Sequence, residues 1–328
     1  MNRRKVVLGI CGAAGALWLP RSSALAQQAF PSRSIRFVIP YPPGGASDVT
    51  ARLLAQKLNE AWGQPVVVEN RPGANGIIAC EAVAKAAPDG YTVLMGNVGP
   101  NAINQTLYRT LPYDCVTSFA PITLTTIVPI VLVANPGLEA RGVQELIALA
   151  RRQPGQITFA SAGPGSSNHL TGEMLKLRAG INIQHVPYRG DGPAMTDVIA
   201  GRISMMFATI IAAMPHIRSS ALRPLGIATA HRSAALPDLP TFIEQGMTGF
   251  EAASWGGVLA PAGTPEPIIR HYHAELGRIL AMPDVREKLA GLGAEVVGNS
   301  PEEFAAYIRS EIDKWGQAVR ASGATPEG

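Results

Sequence analysis

Short apolar stretches alternate along the first third of the chain with longer segments in which apolar residues recur at helical spacing. The short, β-branched stretches predict strands, and the amphipathic segments predict helices. The predicted strands cover residues 34–39, 66–69 and 92–95, and the predicted helices cover residues 48–62 and 77–87. This alternation predicts an α/β fold in which helices pack on a largely parallel sheet.

The same alternation returns after residue 128 and predicts a second α/β unit. Its predicted strands are residues 128–134, 157–160, 183–186, 203–207 and 225–228, and its predicted helices are residues 143–152, 168–178 and 193–200. A return strand over residues 250–260 then precedes two C-terminal helices. We expect Thr264 to cap the first, residues 265–280, and a capping box of Ser300 and Glu303 to open the second, residues 304–319.

These segments predict two α/β domains, the first made from both ends of the chain. We expect residues 27–128 and 253–328 to form the first domain and residues 129–252 to form the second. A length of 328 residues, which exceeds a single ordinary core, supports this division. The chain then crosses between the domains twice, near residues 121–132 and 250–260, and these two segments are the predicted hinge.

A loop rich in Pro and Gly, residues 40–47, connects the first predicted strand to the first predicted helix. The first N–H groups of a helix have no partner inside it, and the helix dipole adds partial positive charge, so such a junction can bind carboxylate or phosphate without Lys or Arg. Because proline has no N–H, the predicted donors are Gly44, Gly45, Ala46 and Ser47. Asp48 lies four residues before Arg52, and we expect this pair to stabilise the helix start.

A second junction of the same kind lies within residues 157–175, in the other predicted domain. Two such junctions suggest a single ligand held in a cleft between the domains. Tight strand-to-helix turns are the alternative explanation for both glycine runs. His169 falls in the first turn of its helix, where the dipole lowers the imidazole pKa and favours the neutral ring. A neutral imidazole can donate one hydrogen bond to a carboxylate, and packing or capping is the alternative role.

The amino terminus has the basic, hydrophobic and small-residue zones of a cleavable export signal, which we expect to span residues 1–26. Its apolar run of about 14 residues is shorter than a bilayer span. Either the twin-arginine or the general secretory route fits the sequence. The segment holds four of the 28 basic residues and none of the 24 acidic ones, so the remaining chain is balanced at 24 of each. Such a balance excludes the basic face that nucleic-acid binding requires.

Catalytic and metal-binding patterns are weak in this chain. His271 and His273 would point to different sides of a helix, and the other histidines have no neighbours at ligand spacing, so we expect no metal and no cofactor. The best enzyme alternative is a hydrolase with Ser166 or Ser167 beside His169 and with Asp191 as an orienting acid. No Gly-x-Ser-x-Gly elbow or phosphate-binding loop supports it. Cys80 and Cys115 could form a disulfide or remain two separate buried thiols.

Eight short motifs occur in an order that resembles one protein family. They are Pro40-Tyr-Pro-Pro-Gly-Gly-Ala-Ser-Asp48, Val68-Glu-Asn-Arg-Pro-Gly-Ala74, Pro88-Asp-Gly-Tyr91, Ser161-Ala-Gly with His169-Leu, Val186-Pro-Tyr-Arg-Gly190, Ser254-Trp-Gly-Gly, Ala260-Pro-Ala-Gly-Thr-Pro265 and Leu292-Gly-Ala294. Together they resemble the Bug family of solute-binding proteins of tripartite tricarboxylate transporters. The resemblance covers roughly residues 30–323.

The resemblance implies a monomeric, periplasmic binding protein of type II-like architecture that closes on a small organic carboxylate. It implies a di- or tricarboxylate or an aromatic acid as the ligand, and delivery to a two-subunit membrane permease. Service as the ligand-presenting subunit of a membrane sensor is the alternative. The ligand-binding positions that the resemblance implies are Gly44, Gly45, Ala46, Ser47, Ser166, Ser167 and His169, with Tyr188 lining the same cleft.

The chain departs from the family pattern at Ala208, where many relatives carry Asp. We expect the loss of that carboxylate to make an amino acid a poorer ligand, because a buried ammonium group would lack its partner.

Overall fold

The computed structural model describes residues 30–326, so the predicted export signal at residues 1–26 lies outside the described residues. The strands are β1 Ile35–Ile39, β2 Val66–Asn70, β3 Thr92–Asn97, β4 Phe119–Ala134, β5 Thr158–Ser161, β6 Gln184–Pro187, β7 Met205–Thr209, β8 Arg223–Ile227, β9 Ala253–Pro261 and β10 Glu295–Val296. The helices are α1 Ala46–Trp62, α2 Ile77–Ala84, α3 Asn104–Leu107, α4 Val143–Arg152, α5 Ser167–Ala179, α6 Asp191–Ile199, α7 Ile210–Arg218, α8 Glu266–Leu280, α9 Pro283–Gly291 and α10 Pro301–Ser322.

The strands follow one another across the molecule in the order β2-β1-β3-β9-β4-β7-β5-β6, with β8 and β10 also paired to β4. Strand β4 is 16 residues long and belongs to both halves. Its first part pairs with β9 and β10, and its last part, Ile130 to Ala134, pairs with β7 and β8. The chain therefore crosses between two α/β units along β4 and returns along β9, which confirms the two-domain α/β architecture.

The prediction of a largely parallel sheet is wrong where the chain crosses between the halves. Strands β1, β2 and β3 are parallel, as are β5, β6 and β7. Every pairing of β4 and β9 is antiparallel, and so is the pairing of β3 with β9. A chain that enters the second half on one strand and leaves on its neighbour must run these two strands in opposite directions.

Apolar side chains fill both faces of this sheet system. On one face Trp255 of β9 packs edge to face against Phe304 of α10, with ring centroids 5.7 Å apart. On the opposite face Tyr272 of α8 is fully buried and packs against Trp62 of α1, with centroids 5.0 Å apart. The two C-terminal helices thus cover opposite faces, because the apolar stripe of each is long enough to bury one side.

Several helix ends were predicted correctly from short-range sequence signals. Helix α1 ends at Trp62, as predicted, and Gly63 caps it in the left-handed conformation with a φ of 63°. Ser300 and Glu303 form the predicted capping box of α10. The predicted cap at Thr264 is wrong, since its hydroxyl donates to the carbonyl of Pro261 and Pro265 occupies the cap position of α8. The sequence reading also missed α7, α9 and the first nine residues of β4.

Cys80 and Cys115 are both buried and form no disulfide with each other. Burial raises the pKa of the Cys115 thiol to about 12 and that of the Cys80 thiol further still. Both thiols therefore stay protonated and unreactive at neutral pH. Within residues 30–326 no helix combines the length and the apolar character needed to cross a bilayer.

Candidate functional site

Four helices begin at the edge of one cavity between the two halves of the molecule. Their cap residues are Gly45 for α1, Ser166 for α5, Gly190 for α6 and Thr209 for α7. The space free of protein atoms here is about 410 Å³, which includes space open to solvent. The residues that line it are Tyr41, Pro42, Gly45, Ala46, Ser47, Asn97, Ala162, Ser166, Ser167, Asn168, Asp191, Thr209 and Ser254. Since helix starts carry partial positive charge, the cavity favours a negatively charged group, although no Lys or Arg of residues 30–326 lines it.

At the start of α1 the predicted donors divide into two groups. The N–H of Gly44 donates to Oδ2 of Asp48 at 3.1 Å, and Gly44 does not line the cavity. By contrast Gly45, Ala46 and Ser47 line it, and no acceptor among residues 30–326 occupies the N–H of Ala46 or Ser47. The prediction that Gly44 donates to the ligand is therefore not supported by this geometry, because the helix start itself uses that N–H.

Asp48 holds the start of α1 in place, as the sequence suggested. Its carboxylate accepts from Nε of Arg52 at 3.0 Å and from Nδ2 of Asn70 at 2.9 Å. Burial works in the opposite direction, yet these hydrogen bonds and that from Gly44 keep the pKa of Asp48 below its usual range. The ionised carboxylate therefore stabilises the helix start from the side away from the cavity.

At the start of α5, Ser166 and Ser167 both line the cavity. The hydroxyl of Ser166 accepts from the backbone N–H of His169 at 3.2 Å and donates to the carbonyl of Gly163 at 2.7 Å. This cap uses the Ser166 side chain, whereas no acceptor among the described residues occupies the N–H of Ser167 or Asn168. The second junction therefore also presents main-chain donors to the cavity.

His169 lies behind the second junction and does not line the cavity. Its Nδ1 accepts from the N–H of Gly165 at 3.1 Å, and its ring stacks on that of His185 with centroids 3.9 Å apart. Burial, followed by the nearby Lys176 ammonium, lowers the pKa of His169 to about 4, which confirms the expected neutral ring. In this structure the ring of His169 packs behind the junction, and its contact with the ligand stays a prediction.

Tyr188 also lies outside the cavity lining, in an adjacent groove with Gly163 and Pro164. Its hydroxyl donates to Oδ2 of Asp197 at 2.5 Å. Burial and this carboxylate raise the pKa of Tyr188 to about 12. The polar end of Tyr188 is thus directed to α6, and its role in lining the ligand cleft stays a prediction.

Asn97 at the end of β3 lines the cavity and connects the start of α1 to strand β9. Its Nδ2 donates to Ser47 at 3.3 Å, to Ser254 at 3.1 Å and to the carbonyl of Trp255 at 3.0 Å. The side chain therefore links the start of α1 to β9, one of the two crossing strands.

Asp191 is the acidic residue of the cavity lining, with 9% of its surface exposed. One oxygen accepts from Nδ2 of Asn168 at 2.8 Å, and the other accepts from the hydroxyl of Thr209 at 3.1 Å. Burial raises the pKa of Asp191 to about 6, although both hydrogen bonds act in the opposite direction. Starts of three helices, α5, α6 and α7, thus surround this carboxyl group.

The hydrolase alternative finds no catalytic triad at this site. The imidazole of His169 accepts a hydrogen bond from the N–H of Gly165. The Ser166 hydroxyl forms hydrogen bonds only with main-chain atoms, those of Gly163 and His169. Asp191 bonds Asn168 and Thr209 and does not orient His169; the carboxylate near that ring is Glu173, whose Oε1 lies 3.9 Å from Nε2 of His169. Among residues 30–326 there is no group of three or more His, Cys, Asp or Glu that could hold a metal ion.

The sequence reading missed Asn97, Ser254 and Thr209 and considered Asp191 only as part of a hydrolase. A usable signal was present, because β3, β6 and β7 each end at or just before one of these polar residues. The carboxyl ends of parallel strands converge at one sheet edge, where α/β proteins place their ligands. The sequence analysis identified two strand-to-helix junctions, and the structure brings four helix starts together at one cavity.

Comparison with known proteins agrees with this geometry. Residues 50–324 match the model of the tripartite tricarboxylate transporter family receptor. The protein BugT of Bordetella pertussis is 38% identical over 325 residues, covering 99% of this chain and 98% of BugT. The solved structure of Rpa4515 of R. palustris with adipate has a TM-score of 0.88 at 36% identity, covering 90% of this chain and 99% of that one. The structure of MatC of Rhodopseudomonas palustris with bound malate has a TM-score of 0.84 at 33% identity. The match covers 88% of this chain and 100% of MatC.

Two α/β domains joined by two crossing strands around a cavity of helix starts define a solute-binding receptor rather than an enzyme. The chain belongs to the tripartite tricarboxylate transporter receptor family, which includes the Bug proteins, and receptors of this family are periplasmic.

Proposed function

We propose that this protein captures a small organic carboxylate in the cavity between its two domains. The observation that carries the proposal is the convergence of helix starts from both domains on one cavity, which no Lys or Arg in the described part of the chain lines. The free N–H groups of Ala46 and Ser47 are the donors from one side, and those of Ser167 and Asn168 are the donors from the other. Since a ligand can engage both sets at once only when the domains are closed, binding shifts the molecule toward the closed form.

The bound ligands of two relatives support this chemistry. Rpa4515 was solved with adipate and MatC with malate, and both molecules are dicarboxylates. A dicarboxylate has one anionic group for each set of main-chain donors. A di- or tricarboxylate or an aromatic acid therefore remains the proposed ligand class.

We further propose delivery of the ligand to a two-subunit membrane permease by a periplasmic monomer, after cleavage of the export signal at residues 1–26. The family description as a transporter receptor supports the permease as partner. The proposed domain boundaries at residues 128/129 and 252/253 fall beside the pairing of Pro129 with Ala253, where β4 and β9 pass between the halves. The hinge is proposed at these two strands.

A thermal-shift panel tests the binding proposal. The chain from residue 27 onward should be unfolded and refolded first, to remove any carried ligand, and then heated with dicarboxylates, tricarboxylates and aromatic acids. A ligand at 100 times its Kd adds about 2.7 kcal/mol to the free energy of unfolding, which raises the melting temperature measurably. Failure of every carboxylate to raise it would contradict the proposal. Incubation of each hit with the protein, followed by analysis for product, separates capture from turnover.

A further inference from the structure

Asp191 is a buried carboxyl group placed where the proposed ligand anion has to bind. It is 9% exposed, and no Lys, Arg or His among residues 30–326 lies within 4.0 Å of its oxygens to form an ion pair. A Cβ atom added to Gly45 would lie 3.6 Å from Oδ2 of Asp191. The carboxyl group of α6 therefore faces the start of α1 across the cavity, next to the free N–H groups of Ala46 and Ser47.

The side-chain hydrogen bonds of Asp191 leave part of its accepting capacity unused. Each oxygen accepts one bond from a neutral side chain, from Asn168 or from Thr209. A carboxylate has about four acceptor positions on its two oxygens. Because Asp191 lines the cavity, the remaining positions are open to a ligand.

A plain dicarboxylate is poorly matched to this arrangement. Its carboxylate at the start of α1 would lie close to the Asp191 carboxylate in a region with little water, and like charges at short range repel each other. A ligand with a protonated amine on the carbon beside its carboxylate avoids this repulsion. Its carboxylate accepts from the N–H groups of Ala46 and Ser47, while its ammonium group donates to Asp191.

We propose that Asp191 selects ligands that carry an ammonium group adjacent to the carboxylate, which makes an α-amino carboxylate the preferred substrate class. This inference rests on the proposed function, because it assumes that the carboxylate binds in the cavity. It also reverses the expectation drawn from Ala208. That residue is fully buried in β7 and does not line the cavity, whereas Asp191 does, so we base the ligand class on Asp191.

Matched ligand pairs test the selection. Binding of succinate and aspartate, of glutarate and glutamate, and of adipate and 2-aminoadipate is measured by calorimetry on the refolded protein. We expect the aminated member of the best-bound pair to bind at least about tenfold more tightly. The Asp191→Asn variant should weaken that member at least about tenfold and strengthen the plain dicarboxylate, because removal of the charge removes both the attraction and the repulsion.

Asn at position 191 has the same shape, can accept from Asn168 and can donate to Thr209, so the variant should fold; its melting curve verifies this. Asp197→Asn is the matched control, since Asp197 lies on the same helix but bonds Arg202 outside the cavity. The control should keep the wild-type preference. Tighter binding of the plain dicarboxylate by the wild type, or an unchanged preference in Asp191→Asn, overturns the role of Asp191 and leaves the proposed function standing. Absence of binding by both members of every pair overturns the role of Asp191, and the thermal-shift panel with tricarboxylates and aromatic acids then tests the proposed function separately.

Discussion

At the scale of single residues, Gly45 and Asp191 decide the chemistry of the cavity from opposite sides. Gly45 has a φ of −83°, a value that any L-amino acid adopts, so its lack of a side chain is not required by the backbone. Instead, the missing side chain leaves space between the start of α1 and Asp191. A Cβ atom there would make only ordinary van der Waals contact with Asp191, so close approach of a ligand to the main chain is the reason we propose for glycine here.

Gly45→Val should fold and lose ligand binding. The two methyl groups would fill the space in front of the Ala46 and Ser47 N–H groups, so we expect carboxylate affinity to fall about 100-fold or more, equivalent to roughly 2.7 kcal/mol. Calorimetry with the best ligand of the thermal-shift panel measures this loss. Gly277→Val in α8 is the matched control, because a Cβ at that position meets no atom within 4 Å. Unchanged affinity in a folded Gly45→Val protein would remove the start of α1 from the binding site.

Asp191 should also make the stability of the ligand-free protein depend on pH. Its pKa is raised from 3.8 to about 6 in the fold, so the folded state holds the proton more tightly than the unfolded chain. This contribution to stability is complete below about pH 4 and is lost as the pH rises through about 6, at a cost on the order of 2–3 kcal/mol. Tyr41 is the titratable neighbour facing it, and burial raises the pKa of that hydroxyl so that it stays neutral.

Urea unfolding of the wild type and of Asp191→Asn at pH 4 and pH 7.5 measures this effect. The variant should gain stability relative to the wild type as the pH rises between these values. His169 and His185 act in the other direction, because burial lowers their pKa values to about 4 and about 3, and stability from these neutral rings is lost as the pH falls below about 6.5. The histidines are present in both proteins, so the comparison isolates Asp191. An equal difference at both pH values would show that folding does not shift the pKa of Asp191.

At the scale of secondary structure elements, the ends of helices have two separate uses in this molecule. The capping box of Ser300 and Glu303 only stabilises α10, whose start lies away from the cavity. Ser166 both caps α5 and lines the cavity, and its bond to Gly163 shapes the loop that precedes the free N–H groups. The same local chemistry therefore serves stability at one helix and the site at another.

Ser166→Ala and Ser300→Ala separate these two uses. Loss of either cap should lower the free energy of unfolding by about 1 kcal/mol. Only Ser166→Ala should also weaken ligand binding, because the loop at Gly163 loses its hydrogen bond and the donors of α5 lose their fixed position. Urea unfolding and calorimetry on both variants provide the two readouts. Equal ligand affinity in the two variants would mean that the α5 junction is not part of the site.

At the scale of the whole molecule, the two domains meet through loops at the cavity as well as through β4 and β9. A Cβ atom added to Gly190 would lie 2.9 Å from Cδ of Pro42, and one added to Gly165 would lie 3.0 Å from Nδ2 of Asn75. Loops of the second domain thus rest against loops of the first. The structure has the compact arrangement expected of a closed binding protein.

Small-angle X-ray scattering should detect a change between open and closed forms. The ligand-free protein should scatter as a more extended particle than this structure, and the saturated protein should match the structure, because the ligand favours closure. Gly45→Val at the same ligand concentration should keep the ligand-free profile. Identical profiles for the free and saturated wild type would contradict hinge closure as the capture mechanism.

The sequence alone determined the features that depend on neighbours along the chain. Residues around Gly63 and Ser300 carry helix-end signals that act over a few positions, so those ends were predicted correctly. Free N–H groups at Ala46 and Ser47 follow from the geometry of any helix start. The two-domain α/β alternation was readable for the same reason, since periodicity reports which face of each element is buried.

Only the tertiary structure decided which of these groups meet. The antiparallel direction of β4 and β9 depends on how the chain crosses between domains, and local pattern does not carry that information. Asp191 and Gly45 are far apart in sequence, yet the closed domains place them on opposite walls of one cavity. Conversely, His169 and Tyr188 lie close in sequence to loops at the cavity, but their polar atoms bond the N–H of Gly165 and the carboxylate of Asp197. Side-chain direction is set by packing against distant segments, and that is why it required the fold.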